Sequence, residues 1–440
     1  MHLRICTRVK LHANIKSSEF LTNTATLIGG AGIAQALPLI FAPFISRLFN
    51  ADDFSVYGVF MALYGILGVV ITLRYDLAVM LPTEERKARS VVSLCLTNAI
   101  LLSFLFFGLS IIFRHQISEF FEMDSLTAWL PYVPLAALFL SINTVLITWY
   151  NRNKKYKVIA ANRISRNGIL TGANIGFGLG KMGHIGLIFS QIISDAIAAF
   201  YYLFMYLKGR KGEKAFANKS EMRQVASEYK DFPRYTLPAT FIDAVSAQIP
   251  ILLIAALYAS QMSGSYFFAY KILAVPIALV GAAYAQTFYQ KFVSHIQQKN
   301  YQHALQFLKK SWFLLGALIL LPSIAIAVWG QPLFVFVFGN EWAESGKIAS
   351  FLIMYIMFAF VSSPTSSSYI ALGMQKYNLI FSTLVLTYRF GALYMGYLLD
   401  NFYLGLTMLV AMEMIEIIIY NGVIVMKLKR LRLLQNQTQK

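Results

Sequence analysis

Apolar residues in this chain come in long runs separated by short polar turns, and the pattern repeats from one end to the other. Twelve runs stand out, at 20–47, 54–82, 91–113, 128–150, 164–180, 185–207, 235–259, 265–290, 311–329, 346–373, 378–399 and 402–426. Nearly all reach the roughly 20 residues a helix needs to cross the hydrocarbon of a bilayer. Backbone surrounded by lipid must satisfy its own hydrogen bonds, and within one contiguous run only a helix does so. The pattern predicts an all-α integral membrane protein of about twelve transmembrane helices. Several runs exceed the length of a span, which predicts tilt or helix projecting past the hydrocarbon. The fifth is short and glycine-rich. The longest polar connection, 208–234, divides the runs six and six, as expected for two six-helix lobes packed as repeats around a central cavity. The regions are then a tail at 1–19, a first lobe at 20–207, a basic linker at 208–234, a second lobe at 235–426 and a basic tail at 427–440.

Composition agrees. Hydrophobic residues make up 58% of the chain and charged ones 13%, against about 45–50% and 25% in average soluble chains. A net charge of +18 in a soluble protein would suggest a nucleic-acid partner. Here the basic residues crowd into alternate short connections and no nucleic-acid module is visible, so their role is to orient the chain across the membrane. With the N-terminus in the cytoplasm, 31 of the 38 Lys and Arg fall on the cytoplasmic side. Only Arg114, Lys181 and Lys347 fall on the other. That asymmetry predicts both termini in the cytoplasm and an even number of spans. The basic stretch from Met1 to Lys16 has no apolar core or small-residue cleavage site and reads as a tail, not a cleaved signal. Segment 291–310 gathers Val293, Ile296, Tyr301, Ala304, Leu305 and Leu308 roughly on one helical face between basic ends, which suits an interfacial helix.

No enzyme chemistry is visible. Cys6 and Cys95 are too far apart in sequence to suggest a disulfide framework or a metal spacing. The six histidines lie in tails or loops without a second ligand, and no cofactor is implied. Gly176 to Lys181 departs from the phosphate-loop pattern and lies in a span. Gly168, Gly172 and Gly176 form a ridge that favours close helix packing. The informative residues are charges inside runs, because a charge at mid-bilayer costs at least about 2.5–3.5 kcal/mol and so faces a partner or a watery cavity. Arg47, Arg74, Lys271 and Arg389 are the basic candidates. Arg47 and Lys271 lie near helix ends, where each either snorkels or turns inward; Arg389 is mid-span. Asp76, Asp195, Asp243, Glu413 and Glu416 are candidates for structural pairing or for ion coupling. Arg74 and Asp76, two apart on one helix, are expected to face different ways and to need separate partners. Glu413 and Glu416 are three apart and share a face, so they either couple to an ion or pair with Arg389 or Arg74.

One stretch carries a family resemblance. Leu73-Arg74-Tyr75-Asp76-Leu77-Ala78-Val79-Met80-Leu81-Pro82 resembles the RYDLAxxLP signature of bacterial oligosaccharide-lipid flippases, the Wzx-type polysaccharide exporters. Ile45 to Phe49 and Asp52 to Tyr57 are similar to that family's short outer loop and turn, with Ser55 where glycine is usual. Phe338 to Gly346 resembles its FGxxWxxAG segment, with Ser345 for alanine, and Ser363-Pro364 through Lys376 resembles its tenth helix and following turn. The resemblance implies the fold of the multidrug/oligosaccharidyl-lipid/polysaccharide exporters, two six-helix lobes forming a V. It implies a multi-pass protein of the bacterial inner membrane. The substrate would be an O-antigen or capsule repeat unit on undecaprenyl pyrophosphate, moved from the cytoplasmic to the periplasmic leaflet by alternating access. Other polysaccharide assembly proteins would be its partners. Arg74, Arg389, Lys271 and Arg47 then become candidates for the anionic headgroup. The competing expectations are a cation-coupled multidrug antiporter of the same superfamily, in which the acidic residues would dominate the cavity, and a membrane-embedded glycosyltransferase or polymerase. For the latter, the 208–234 connection is too small to hold a nucleotide-sugar domain.

Overall fold

The computed structural model describes Gly29 and residues 32–209 and 216–438. Regular structure among them is helical throughout. The first lobe comprises α1 (Gly32–Ile45), α2 (Ala51–Val70), α3 (Glu85–Phe120), the short α4 (Asp124–Trp129), α5 (Tyr132–Arg152), α6 (Tyr156–Leu179) and α7 (Gly183–Lys208). Helix α8 (Lys219–Glu228) lies in the connection. The second lobe comprises α9 (Leu237–Leu257), α10 (Ser260–Leu273), α11 (Ala282–Gln297), α12 (Tyr301–Phe338), α13 (Ala343–Ser362), the short α14 (Ser366–Ala371), α15 (Gln375–Leu398) and α16 (Phe402–Thr438).

Nine helical segments among the described residues are long and apolar enough to cross a membrane. The other three expected spans coincide with α1, described only from Gly32, with α6, whose Lys157, Arg163 and Arg166 lower its hydropathy, and with α15. Residues 20–28 of the first expected span lie outside the described residues. Helix α3 has 36 residues, about 54 Å at 1.5 Å per residue, so it projects well beyond the hydrocarbon.

Three local expectations are corrected. The second run is not one helix. α2 ends at Val70, Leu73 and Arg74 take positive φ of 51° and 61°, and a 3₁₀ turn follows over Tyr75–Met80. Thr72 Oγ1 donates to Asp76 Oδ1 at 2.7 Å, a local side-chain bond that competes with helix continuation. Segment 291–310 is not an interfacial helix either. It is the end of α11, a turn with Lys299 at φ 56°, and the start of α12. Its apolar face packs inward, with Phe292, Ala304 and Leu308 fully buried against Tyr369 and Leu428. Among the described residues the glycine ridge of α6 makes no close packing, since a Cβ at Gly168, Gly172 or Gly176 would meet no described atom within 4 Å. The tight contact is Gly178, where a Cβ would lie 2.8 Å from Leu48 Cβ.

In the linker, Asn218 and Glu221 form a reciprocal capping box at the start of α8. Arg86 and Lys87 of α3 then bind Glu221 and Glu228 at 2.6 and 2.7 Å, and Val225 is buried. Burial beside this contact, with Glu228 adding, pushes the Tyr229 hydroxyl above its ordinary range.

The two lobes share one core at one end only. Buried residues of α1, α2, α4, α5 and α7 join those of α9, α10, α12, α13, α15 and α16 in a single cluster around Phe54, Phe268 and Trp342. At the opposite end each lobe keeps its own core. One is built around Val91, Trp149 and Tyr202, the other around Phe288, Leu308 and Leu428. Helix α2 makes the main contact between lobes, packed against α9 and α10. The molecule is thus sealed at the end bearing residues 46–54 and divided at the end bearing α8. Pro332 lies three residues past a kink at Trp329 (φ −117°, ψ 23°) in α12, and Pro276 immediately precedes a π turn over Ile277–Gly281. Proline removes a backbone donor from the helix and forces such breaks.

Candidate functional site

Aromatic rings make the seal. Phe54 of α2 enters the second lobe, with its centroid 5.2 Å from those of Phe268 and Trp342, and these two stack on each other at 3.9 Å. Such pairs each add about 0.5–1.5 kcal/mol beyond area burial. The backbones approach closely, since a Cβ at Gly264 of α10 would overlap the Ala51 carbonyl. Polar contacts rim the seal. Trp342 Nε1 donates to the Ser46 carbonyl at 2.7 Å, Ser46 Oγ donates to the Phe338 carbonyl at 3.0 Å, and Ser260 Oγ donates to Asp52.

Beneath the seal lies a cavity of about 390 Å³ between the lobes, within the size range of small-ligand sites (about 300–1,000 Å³). Met61 of α2 closes one side, and Gln248, Tyr270, Lys271, Arg389 and Glu413 supply polar groups from the second lobe. Arg389 lines the cavity but is tied at two points. Its Nε donates to Glu413 Oε1 at 2.6 Å and Nη1 donates to the Ser246 carbonyl at 2.6 Å. Lys271 is exposed to the cavity and has no carboxylate within 4 Å among the described residues. Its ammonium sits instead over the rings of Tyr57, Phe267 and Phe54, at 5.2, 5.8 and 5.9 Å.

The first lobe carries a matching pair. Arg166 of α6 donates from Nε to Asp195 of α7, whose carboxylate is fully buried and also accepts from Tyr64 and Gln191 at 2.7 Å each. Tyr57 OH donates to Gln191 Oε1 at 3.1 Å. Each lobe thus places an arginine on its fifth expected span and its carboxylate on the sixth. Arg166 does not stand out in the sequence because it sits at the start of its apolar run, just after the basic residues from Arg152 to Arg163. The signal available was Asp195, a carboxylate in an apolar run, which requires a cation.

The remaining candidates are dispersed. Arg74 Nη1 reaches Asp76 Oδ2 at 3.5 Å, so the two residues face each other. The expectation of divergent faces assumed a helix, and the positive φ of Leu73 and Arg74 removes that premise. Arg47 is exposed near Gly339, at the rim of the seal and away from the cavity. Asp243 is exposed one turn from Ala247, and Glu416 lies one turn beyond Glu413. Neither has an ion-pair partner among the described residues.

A family model described as polysaccharide biosynthesis protein matches residues 44–347. No individually curated protein sequence matches the chain. Among solved structures, a multidrug resistance MATE family transporter of the MOP superfamily, in its inward-facing conformation, is 14% identical, covering 92% of this chain and 95% of that one with a TM-score of 0.70. Lipid II flippase MurJ in an inward closed conformation is 13% identical, covering 92% and 90% with a TM-score of 0.72. A MOP superfamily transporter from Pyrococcus furiosus, described as having a binding pocket of reversed polarity, is 14% identical, covering 93% and 96% with a TM-score of 0.62. These likenesses establish the fold, the two-lobe fold of MOP-superfamily transporters.

Proposed function

The chain belongs to the polysaccharide biosynthesis protein family, and from that premise we propose that it flips an oligosaccharide linked to undecaprenyl pyrophosphate across the bacterial inner membrane. The observation that carries this reading is Lys271, a cation without a carboxylate partner among the described residues, in a cavity that also holds Arg389 and three tyrosines. A pyrophosphate needs such a site, because charge-assisted hydrogen bonds from Lys and Arg replace the water it loses. Tyrosine offers sugars an apolar face and a polar tip. The polyprenyl tail stays in lipid between the parted lobes. The basic connections support a cytoplasmic position for the divided end; the headgroup then enters there and leaves when the seal opens, as alternating access requires. Glu413, the acidic residue lining the cavity, is already compensated by Arg389, and Asp195 of the first lobe by Arg166. That argues against the cation antiporter, which needs a free acidic group in the cavity to take up its ion.

A deletion strain should accumulate a lipid-linked oligosaccharide in the cytoplasmic leaflet and lose the matching surface glycan. Proteoliposomes holding the purified chain should expose that lipid-linked oligosaccharide to external glycosidase. An unchanged surface glycan together with no gain in exposure would overturn the assignment.

A further inference from the structure

Lys271 occupies two settings at once. On one side its ammonium is open to the cavity. On the other it lies over Phe54 and Tyr57, which belong to α2 of the opposite lobe, and over Phe267, one turn earlier on its own helix. The three rings also touch one another, with centroids 6.4 Å apart for Phe54 and Tyr57 and 5.8 Å for Tyr57 and Phe267. We propose that Lys271 is a substrate-operated latch: its cation–π contacts hold the seal shut in the empty protein, and an anionic headgroup bound in the cavity draws the ammonium off the rings and frees α2 to part from α10. This rests on the headgroup reading above.

The competition follows from the chemistry of the two partners. A ring quadrupole holds a cation modestly, whereas a phosphate oxygen offers a charge-assisted hydrogen bond. Arg166 and Arg389 cannot serve this way, because each is held by its own carboxylate. Phe54 is only 2% exposed and must leave the second lobe's aromatic box for the seal to open. Tyr57 is anchored to its own lobe through Gln191, so the pull of Lys271 on it is a pull between lobes. A latch released by substrate would keep the empty transporter from opening outward.

The test uses Ser55→Cys, a fully buried position within the seal, in a full-length chain lacking Cys6 and Cys95. It is reconstituted in proteoliposomes and labelled from the outer face with a membrane-impermeant maleimide. Undecaprenyl pyrophosphate is the probe. The parent should label slowly without the lipid and faster with it. Lys271→Gln should label roughly 2- to 30-fold faster without it, the factor a cation–π contact is worth, and should not respond to its addition. Lys271→Arg, which keeps the cation over the rings, should restore both slow basal labelling and the response. A Lys271→Gln chain that labels as slowly as the parent, while the parent still responds to the lipid, overturns the latch and leaves the flippase reading standing. A parent that neither responds to undecaprenyl pyrophosphate nor exposes the lipid-linked oligosaccharide in the glycosidase assay overturns both.

Discussion

Arg389 and Glu413 show what one residue type must do in this membrane. Their side chains are 19% and 8% exposed, and Arg389 also binds the Ser246 carbonyl. Removing the arginine alone strands a carboxylate away from water. Arg389→Ala should therefore cost about 3 kcal/mol, the low end for a broken buried pair, read as a lower melting temperature of the detergent-solubilised chain. Adding Glu413→Gln should restore most of that loss without restoring flipping, because the cavity is still one cation short. A double variant that regains both stability and glycan export would confine Arg389 to a structural role. Arg74 and Asp76 carry the opposite lesson. Their spacing was legible, but their mutual contact was not, because it depends on two residues in the left-handed region. Nothing in the residue pattern marks that backbone.

At the scale of elements, the twelve apolar runs were enough to place the long helices, and two of the breaks have local causes. Thr72 and Asp76 bond to each other where α2 ends, and Pro332 follows the kink of α12. Helix α8 was hidden in the basic linker because its stability comes from contacts with α3 and from its cap rather than from an apolar run. Asn218→Ala should remove about 1 kcal/mol of capping and speed proteolysis of the 208–234 connection severalfold in inverted vesicles. Equal proteolysis of parent and variant would show that the ion pairs to Arg86 and Lys87 hold α8 without its cap.

At the scale of the whole molecule, the alternating access proposed above requires the shared core around Phe54 to divide and the two separate cores at the other end to approach. Asp52 and Ser260 face each other across the rim of the seal. A chain carrying Asp52→Cys and Ser260→Cys, with Cys6 and Cys95 removed, should cross-link under mild oxidation. Flipping should then stop, and reduction should restore it. Full flipping by the oxidised, cross-linked chain would show that the lobes do not part at this rim.

The sequence by itself determined the membrane class, the helices, the division into two halves and the family, because length, hydropathy and short motifs are properties of contiguous residues. It also marked the intramembrane charges, since any charge in an apolar run stands out. Which of them meet was decided only by the tertiary structure. Arg166 finds Asp195 and Arg389 finds Glu413 across helices, while Lys271 is left facing rings from the other lobe. Pairing depends on the rotation and depth of each helix in the bundle. Those are fixed by packing over many side chains at once, at contacts such as Gly264 on Ala51 and Phe54 on Trp342, which join residues hundreds of positions apart in the chain.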